Sequence, residues 1–213
     1  MHRYDPGRQK LALGLAFLAG QTDAIGFIVA GGYFTSFMSG NTTRLGVDLI
    51  ENPAVAYLPV VLIASFLGGV VAGSLVIGKW QRRRKTVLLT IVASVLGAAA
   101  IAAACGLQLV FLTLAAAAMG AANNSFSRDG EVTVGVTYMT GALVRFGQGI
   151  AARLSGRSTG TMRGYGALWA ALAAGAASGA GLHSLSPTGA PAACFVIAVL
   201  LCLGAYRVER NDS

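Results

Sequence analysis

Three ionisable side chains stand where an apolar sequence ought to have none. Asp23 lies in Gly20-Gln-Thr-Asp23, inside the first apolar run, while Arg44 and Arg145 lie in two further segments that are otherwise uncharged or nearly so. A carboxylate at the centre of a bilayer costs on the order of 2.5–3.5 kcal/mol even on the lenient insertion scale, so it needs a partner, a proton or a wet path. The two arginines are the obvious partners for Asp23. Such a group is either a buried ion pair that fixes the fold or an ion or solute site in which Asp23 exchanges a proton.

The segments that carry the arginines repeat one another. Ser36-Phe-Met-Ser-Gly-Asn-Thr-Thr-Arg-Leu-Gly46 aligns with Thr137-Tyr-Met-Thr-Gly-Ala-Leu-Val-Arg-Phe-Gly147 at an offset of 101. Met38/Met139, Gly40/Gly141, Arg44/Arg145 and Gly46/Gly147 are identical. The same offset sets Asp23 against Asn124. Amides do not titrate in this range, so proton coupling would be asymmetric and lie in the first half. The second copy has Ala142-Leu143-Val144 where the first has Asn41-Thr42-Thr43. The candidate solute-binding set is therefore Asp23, Asn41, Thr42, Arg44, Asn124 and Arg145.

The elements that must hold these residues are membrane helices. In the 213 residues only 11% are charged and 55% are hydrophobic, and the mean hydropathy is +0.66. A soluble domain of ordinary composition is about 25% charged. Six runs approach the ~20 apolar residues of a span: about 11–31, 53–78, 86–106, 107–127, 163–184 and 189–206. Segments 33–51 and 134–154 are apolar but rich in Gly, Ser, Thr and Asn. A cleavable signal peptide is a poor fit, because Phe17 would stand three residues before a cut after Ala19. The expected fold is an all-α membrane protein in a single domain of six spans. It reads as a 3+3 inverted repeat (about 9–106 and 107–207), each half with a broken or re-entrant segment.

Lys and Arg set the orientation. With six spans and a cytoplasmic N-terminus, 14 of the 16 Lys and Arg fall on the cytoplasmic side. The other two are Arg44 and Arg145. Eight spans would place either the 82–84 arginines or the 153–163 cluster outside. Three spans per half invert the second copy. Each odd segment is long enough to enter and return as two half-helices, with backbone breaks at Gly40 and Gly141. A half-helix starting near Thr42 would aim free N–H groups at the membrane interior.

The net charge of +8 sits in short clusters between apolar runs, which argues against a nucleic-acid partner. Cys105, Cys194 and Cys202 have no metal or redox spacing. No metal-ligand cluster, phosphate loop or cofactor motif stands out. Ser178 with His183 lacks the context of an intramembrane protease, so no catalytic role is expected. Gly69-x-x-x-Gly73 and Gly175-x-x-x-Gly179 suit close helix packing, within the chain or in a homo-oligomer.

Gly20-Gln-Thr-Asp-Ala-Ile-Gly-Phe27, Phe37-Met-Ser-Gly-Asn-Thr-Thr-Arg-Leu-Gly46, Met119-Gly120 with Asn123, and Thr137-Tyr-Met-Thr-Gly141 together resemble the YoaK-like family of bacterial integral membrane proteins, whose function is uncharacterised. The resemblance covers nearly the whole chain. Where that family has Gln-Asn after Met-Gly, this chain has Ala122-Asn123. It implies a bacterial inner-membrane location. The expected function is a small transporter or channel for a small polar or anionic solute, with proton coupling through Asp23. The alternative is a non-transporting sensor or assembly partner in which the same polar residues are structural.

Overall fold

The computed structural model describes residues 6–80, 83–128, 131–132, 139–156 and 162–211. Eight helices account for nearly all of them: α1 Pro6–Val29, α2 Met38–Glu51, α3 Tyr57–Lys79, α4 Arg84–Ala104, α5 Gln108–Ala122, α6 Met139–Leu154, α7 Met162–Leu185 and α8 Ala190–Asn211. A 3-10 turn, Asn123–Phe126, extends α5, and a two-residue antiparallel ladder, Ser127–Arg128 with Glu131–Val132, follows it.

Among the described residues, four helices are long and apolar enough to cross a bilayer: α1, α3, α4 and α8. The other two expected spans differ for local reasons. α5 has 15 helical residues, about 22 Å, before Asn123 and Asn124 tighten the chain. α7 has 24 residues, but Gly and Ala dilute its hydropathy. Its length lies against α1. Apolar stripes face outward on the bundle, with Leu67, Val71 and Leu75 on α3 and Val196, Leu200 and Leu203 on α8. Surfaces of this kind belong against lipid.

Glycine decides which helices meet. A side chain at Gly175 or Gly179 of α7 would collide with the carbonyls of Phe17 or Gln21, and one at Gly20 with the carbonyl of Leu172. The same arrangement recurs where α3 meets α5: Gly69 faces the carbonyl of Ala117, Gly73 faces Ala121, and Gly120 faces the carbonyl of Phe66. Contact residues on α1 and α5 differ by 100 positions and those on α3 and α7 by 106. Both pairs run parallel, since Phe17 and Gln21 meet Gly175 and Gly179 in the same order. Both glycine faces are thus buried inside the chain, which removes them as homo-oligomer surfaces.

α4 and α8 run antiparallel. Glu209 of α8 accepts hydrogen bonds from the Lys85 and Thr86 amides at 2.8 and 3.1 Å and from the Thr86 hydroxyl at 2.7 Å. Further along, Thr90 meets Cys202 and Gly97 lies under the ring of Phe195. Glu209 does for α4 what an N-cap side chain would do locally, and Arg83 offers no cap of its own.

The expected backbone breaks are not where glycine suggested. Gly40 lies inside α2 and Gly141 inside α6, and both helices run through uninterrupted. A Cβ at Gly40 would strike the rings of Phe37 and Phe34. That glycine therefore serves close packing. The irregular stretch of the first half lies earlier, at residues 30–37, opened by Gly31 (φ 65°) and Gly32 (φ 113°), backbone conformations that suit glycine. The corresponding stretch of the second half, 133–138, with Thr137 and Tyr138, lies outside the described residues.

These contacts give a direct test. Gly69→Ala and Gly175→Ala each push a methyl into a neighbouring carbonyl and should destabilise the bundle by about 1–3 kcal/mol. Gly68→Ala and Gly181→Ala, which meet open space, should change it little. Thermal unfolding in detergent reads the difference, and equal shifts for both pairs would contradict the packing.

Candidate functional site

After Val29 the chain turns at Gly31-Gly32 and runs back along α1. Ser36 reaches Asp23, six residues before the end of α1 and so about 9 Å into the bundle along its axis. Both oxygens of the Asp23 carboxylate are engaged there. Oδ1 accepts from the Ser36 amide at 2.6 Å and the Thr35 hydroxyl at 3.1 Å, and Oδ2 accepts from the Ser36 hydroxyl at 2.6 Å. One of these bonds satisfies a backbone amide outside any helix, and the other two hold the hydroxyls that flank it. Asp23 makes no ion pair with Arg44 or Arg145. The expected pairing fails because polar groups of the extended segment, rather than a cation, meet the carboxylate.

α2 clamps the same segment from the other side. Asn41 is fully buried. Its Oδ1 accepts from the Phe34 amide at 2.9 Å and its Nδ2 donates to the Phe34 carbonyl at 2.7 Å, as a neighbouring strand would. Met38 begins α2 at the deep end of the segment. Phe37 supplies no side-chain cap, and the Met38 amide donates instead to the Ser36 carbonyl at 3.2 Å. Thr42 and Thr43 donate back to the carbonyls of Met38 and Ser39 within their own helix.

Arg44 points to Gly32 and lies over Tyr33, its guanidinium carbon 5.5 Å from the ring centroid. Tyr33 in turn donates its hydroxyl to Asp48 at 2.7 Å. Arg145 repeats the stacking on a different partner. It lies 5.2 Å from the centroid of Tyr165 on α7 and donates to the Tyr165 hydroxyl at 2.6 Å. A cation on an aromatic face keeps part of its donor set free, and both arginines remain exposed.

Asn124 sits apart from Asp23's segment. It accepts from the Ser74 hydroxyl at 2.8 Å and donates to the Val70 carbonyl at 3.1 Å, tying the 3-10 turn to α3. Of the six expected residues, Asp23, Asn41 and Arg44 come together around residues 32–36. Thr42 faces out beside them, whereas Asn124 and Arg145 stand with other helices. The sequence reading missed Tyr33, Thr35, Ser36 and Tyr165. Its usable signal was the Gly31-Gly32 doublet, which stops α1 and leaves Tyr33-Phe-Thr-Ser36 as a non-helical stretch needing polar partners.

Residues 11–206 match the family described as "Protein of unknown function (DUF1275)". The chain belongs to this family. It is also 39% identical over 140 residues to a UPF0700 transmembrane protein of Rhizobium meliloti (strain 1021), a match that covers 66% of this chain and 60% of the relative. No solved structure matches the chain. The transmembrane relative and the long apolar helices agree on a multi-pass membrane protein. The narrower YoaK-like resemblance rests on its motifs alone.

The clamp at Asp23 has a measurable cost of removal. Asp23→Ala strands the Ser36 amide and two hydroxyls and should destabilise the folded protein by on the order of 3 kcal/mol. Asp23→Asn keeps an acceptor for the Ser36 amide and should lose less than half of that. Unfolding midpoints of the two variants in detergent check the order.

Proposed function

We propose that the protein is a transporter or channel for a small polar or anionic solute in a bacterial inner membrane, without a catalytic step. On this reading it is a 3+3 inverted repeat. α1, α3, α4, α5, α7 and α8 cross the membrane, both termini are cytoplasmic, and α2 and α6 enter from opposite faces. The observation that carries it is the packing symmetry. Exchanging α1–α4 with α5–α8 turns the α1–α7 contact into the α5–α3 contact and the α4–α5 contact into the α8–α1 contact. The glycine contacts correspond residue for residue, and α4 lies antiparallel to its own counterpart α8, as inversion requires. Inverted repeats with irregular backbone at their interface are a recurrent transporter design.

The packing offsets make Asn123, rather than Asn124, the counterpart of Asp23. Asp23 and Asn41 then act as positioning residues that hold the segment ahead of α2. Arg44 and Arg145, at matching places in the two halves, are the groups left to attract an anion. A second reading, a membrane sensor or assembly partner, is favoured by the full set of bonds at Asp23 and Asn41, which leaves those two side chains little capacity for a solute.

Two measurements test the proposal. Cysteine placed at position 187 should label from outside and cysteine at position 83 should not; the reverse pattern sinks the topology. In reconstituted vesicles offered a panel of small anions and neutral polar solutes, Arg44→Gln and Arg145→Gln should each reduce anion uptake about tenfold or more, the value of one charged hydrogen bond. Absence of uptake of any panel member by wild-type vesicles would favour the sensor reading.

A further inference from the structure

The ends of α4 and α8 form a basic cleft separate from the elements around Asp23. Its walls are Leu203, Tyr206, Arg207 and Arg210. Arg83, at the start of α4, lays its guanidinium 5.7 Å from the centroid of Tyr206 and so closes one side. Among the described residues of α8 the one carboxylate is Glu209, which accepts three hydrogen bonds from the first turn of α4. The cleft therefore sets Arg83 and Arg207 beside an apolar wall.

Its level relative to the bilayer follows from the helices that meet there. α3 ends at Lys79 beside the exposed Trp80, α4 begins at Arg84, and α8 runs out at Arg210–Asn211. Aromatic residues at helix ends mark the membrane–water boundary. Below the arginines, on the same outward face of α8, Leu203, Leu200 and Val196 are 52%, 60% and 53% exposed. A ligand that fits must offer a negative group to the arginines and hydrocarbon to this stripe at once. A free anion satisfies only the first.

We infer that this cleft binds an anionic phospholipid, the headgroup phosphate between Arg83 and Arg207 and one acyl chain along Leu203, Leu200 and Val196. The site needs no solute transport, so it stands or falls independently of the proposed function.

Native mass spectrometry of the full chain in neutral detergent tests it, with phosphatidylglycerol, phosphatidylcholine and inorganic phosphate as probes. Phosphatidylglycerol should bind in preference to phosphatidylcholine and should not be displaced by millimolar phosphate. Each arginine near a headgroup contributes about fivefold, so the Arg83→Gln/Arg207→Gln double variant should lose about 25-fold. Arg153→Gln, on α6, should lose nothing. Leu203→Trp, which fills the cleft without touching charge, should also exclude the lipid and decides the matter if the double variant does not fold. Equal binding of the two lipids, displacement by phosphate, or wild-type affinity in both cleft variants would overturn the site.

Discussion

A backbone that leaves the helix inside a membrane protein must find hydrogen-bond partners within the protein, because lipid offers none. Residues 30–37 meet that condition through backbone bonds at their two ends and two side chains between. Asp23 of α1 takes the Ser36 amide and the Thr35 and Ser36 hydroxyls, and Asn41 of α2 takes both polar groups of Phe34. The position of α2 and the exposure of Arg44 both follow from where these two residues pin the chain. The polar motifs of the first half are best understood as the partners of a segment that has no secondary structure.

The remainder of the bundle rests on a different economy. In lipid the hydrophobic effect does little to drive helix against helix, so close backbone packing has to supply much of the attraction. Glycines on α1, α3, α5 and α7 bring carbonyls into direct contact in two equivalent interfaces. α4 and α8 rely instead on a side-chain cap across the bundle, with Glu209 satisfying amides that α4 cannot satisfy itself. Interior polar atoms are not all served. Gln21 Oε1 and Ser125 Oγ are buried without a protein partner, which marks the level of Asp23 and Asn124 as the more polar part of the interior.

Helical class, the duplicated arginines and the value of the paired glycines were legible in the sequence, because apolar runs and four-residue spacing are local properties. The partner of Asp23 was not. A rule that charge seeks charge pointed to Arg44 and Arg145, whereas the carboxylate is met by neutral donors, which carry no distinctive pattern. Gly40 was legible as special but not as what it is, since only the folded chain brings Phe34 and Phe37 over it. On the proposed repeat, the shift from Asn124 to Asn123 has a similar origin: the alignment was anchored on the arginine motif, and the contacts 100 positions apart on α1 and α5 are invisible until the helices are seen together.

α1 packs most extensively against α7, and that contact joins Phe17 and Gln21 to Gly175 and Gly179. In order of synthesis these partners are the first helix and the last but one. At ribosomal rates of roughly 5–20 residues per second, α1 would spend about 8–30 s in or beside the insertion machinery before α7 exists. Asp23 is shielded early, because Thr35 and Ser36 emerge only a dozen residues behind it. Thr22 is covered by its own helix, its hydroxyl donating to the Leu18 carbonyl at 2.8 Å, but Gln21 has no such early cover. The order of birth thus exposes a half-made protein with a polar helix awaiting its mate, and lateral release of α1 into lipid before that moment would carry its polar face into hydrocarbon.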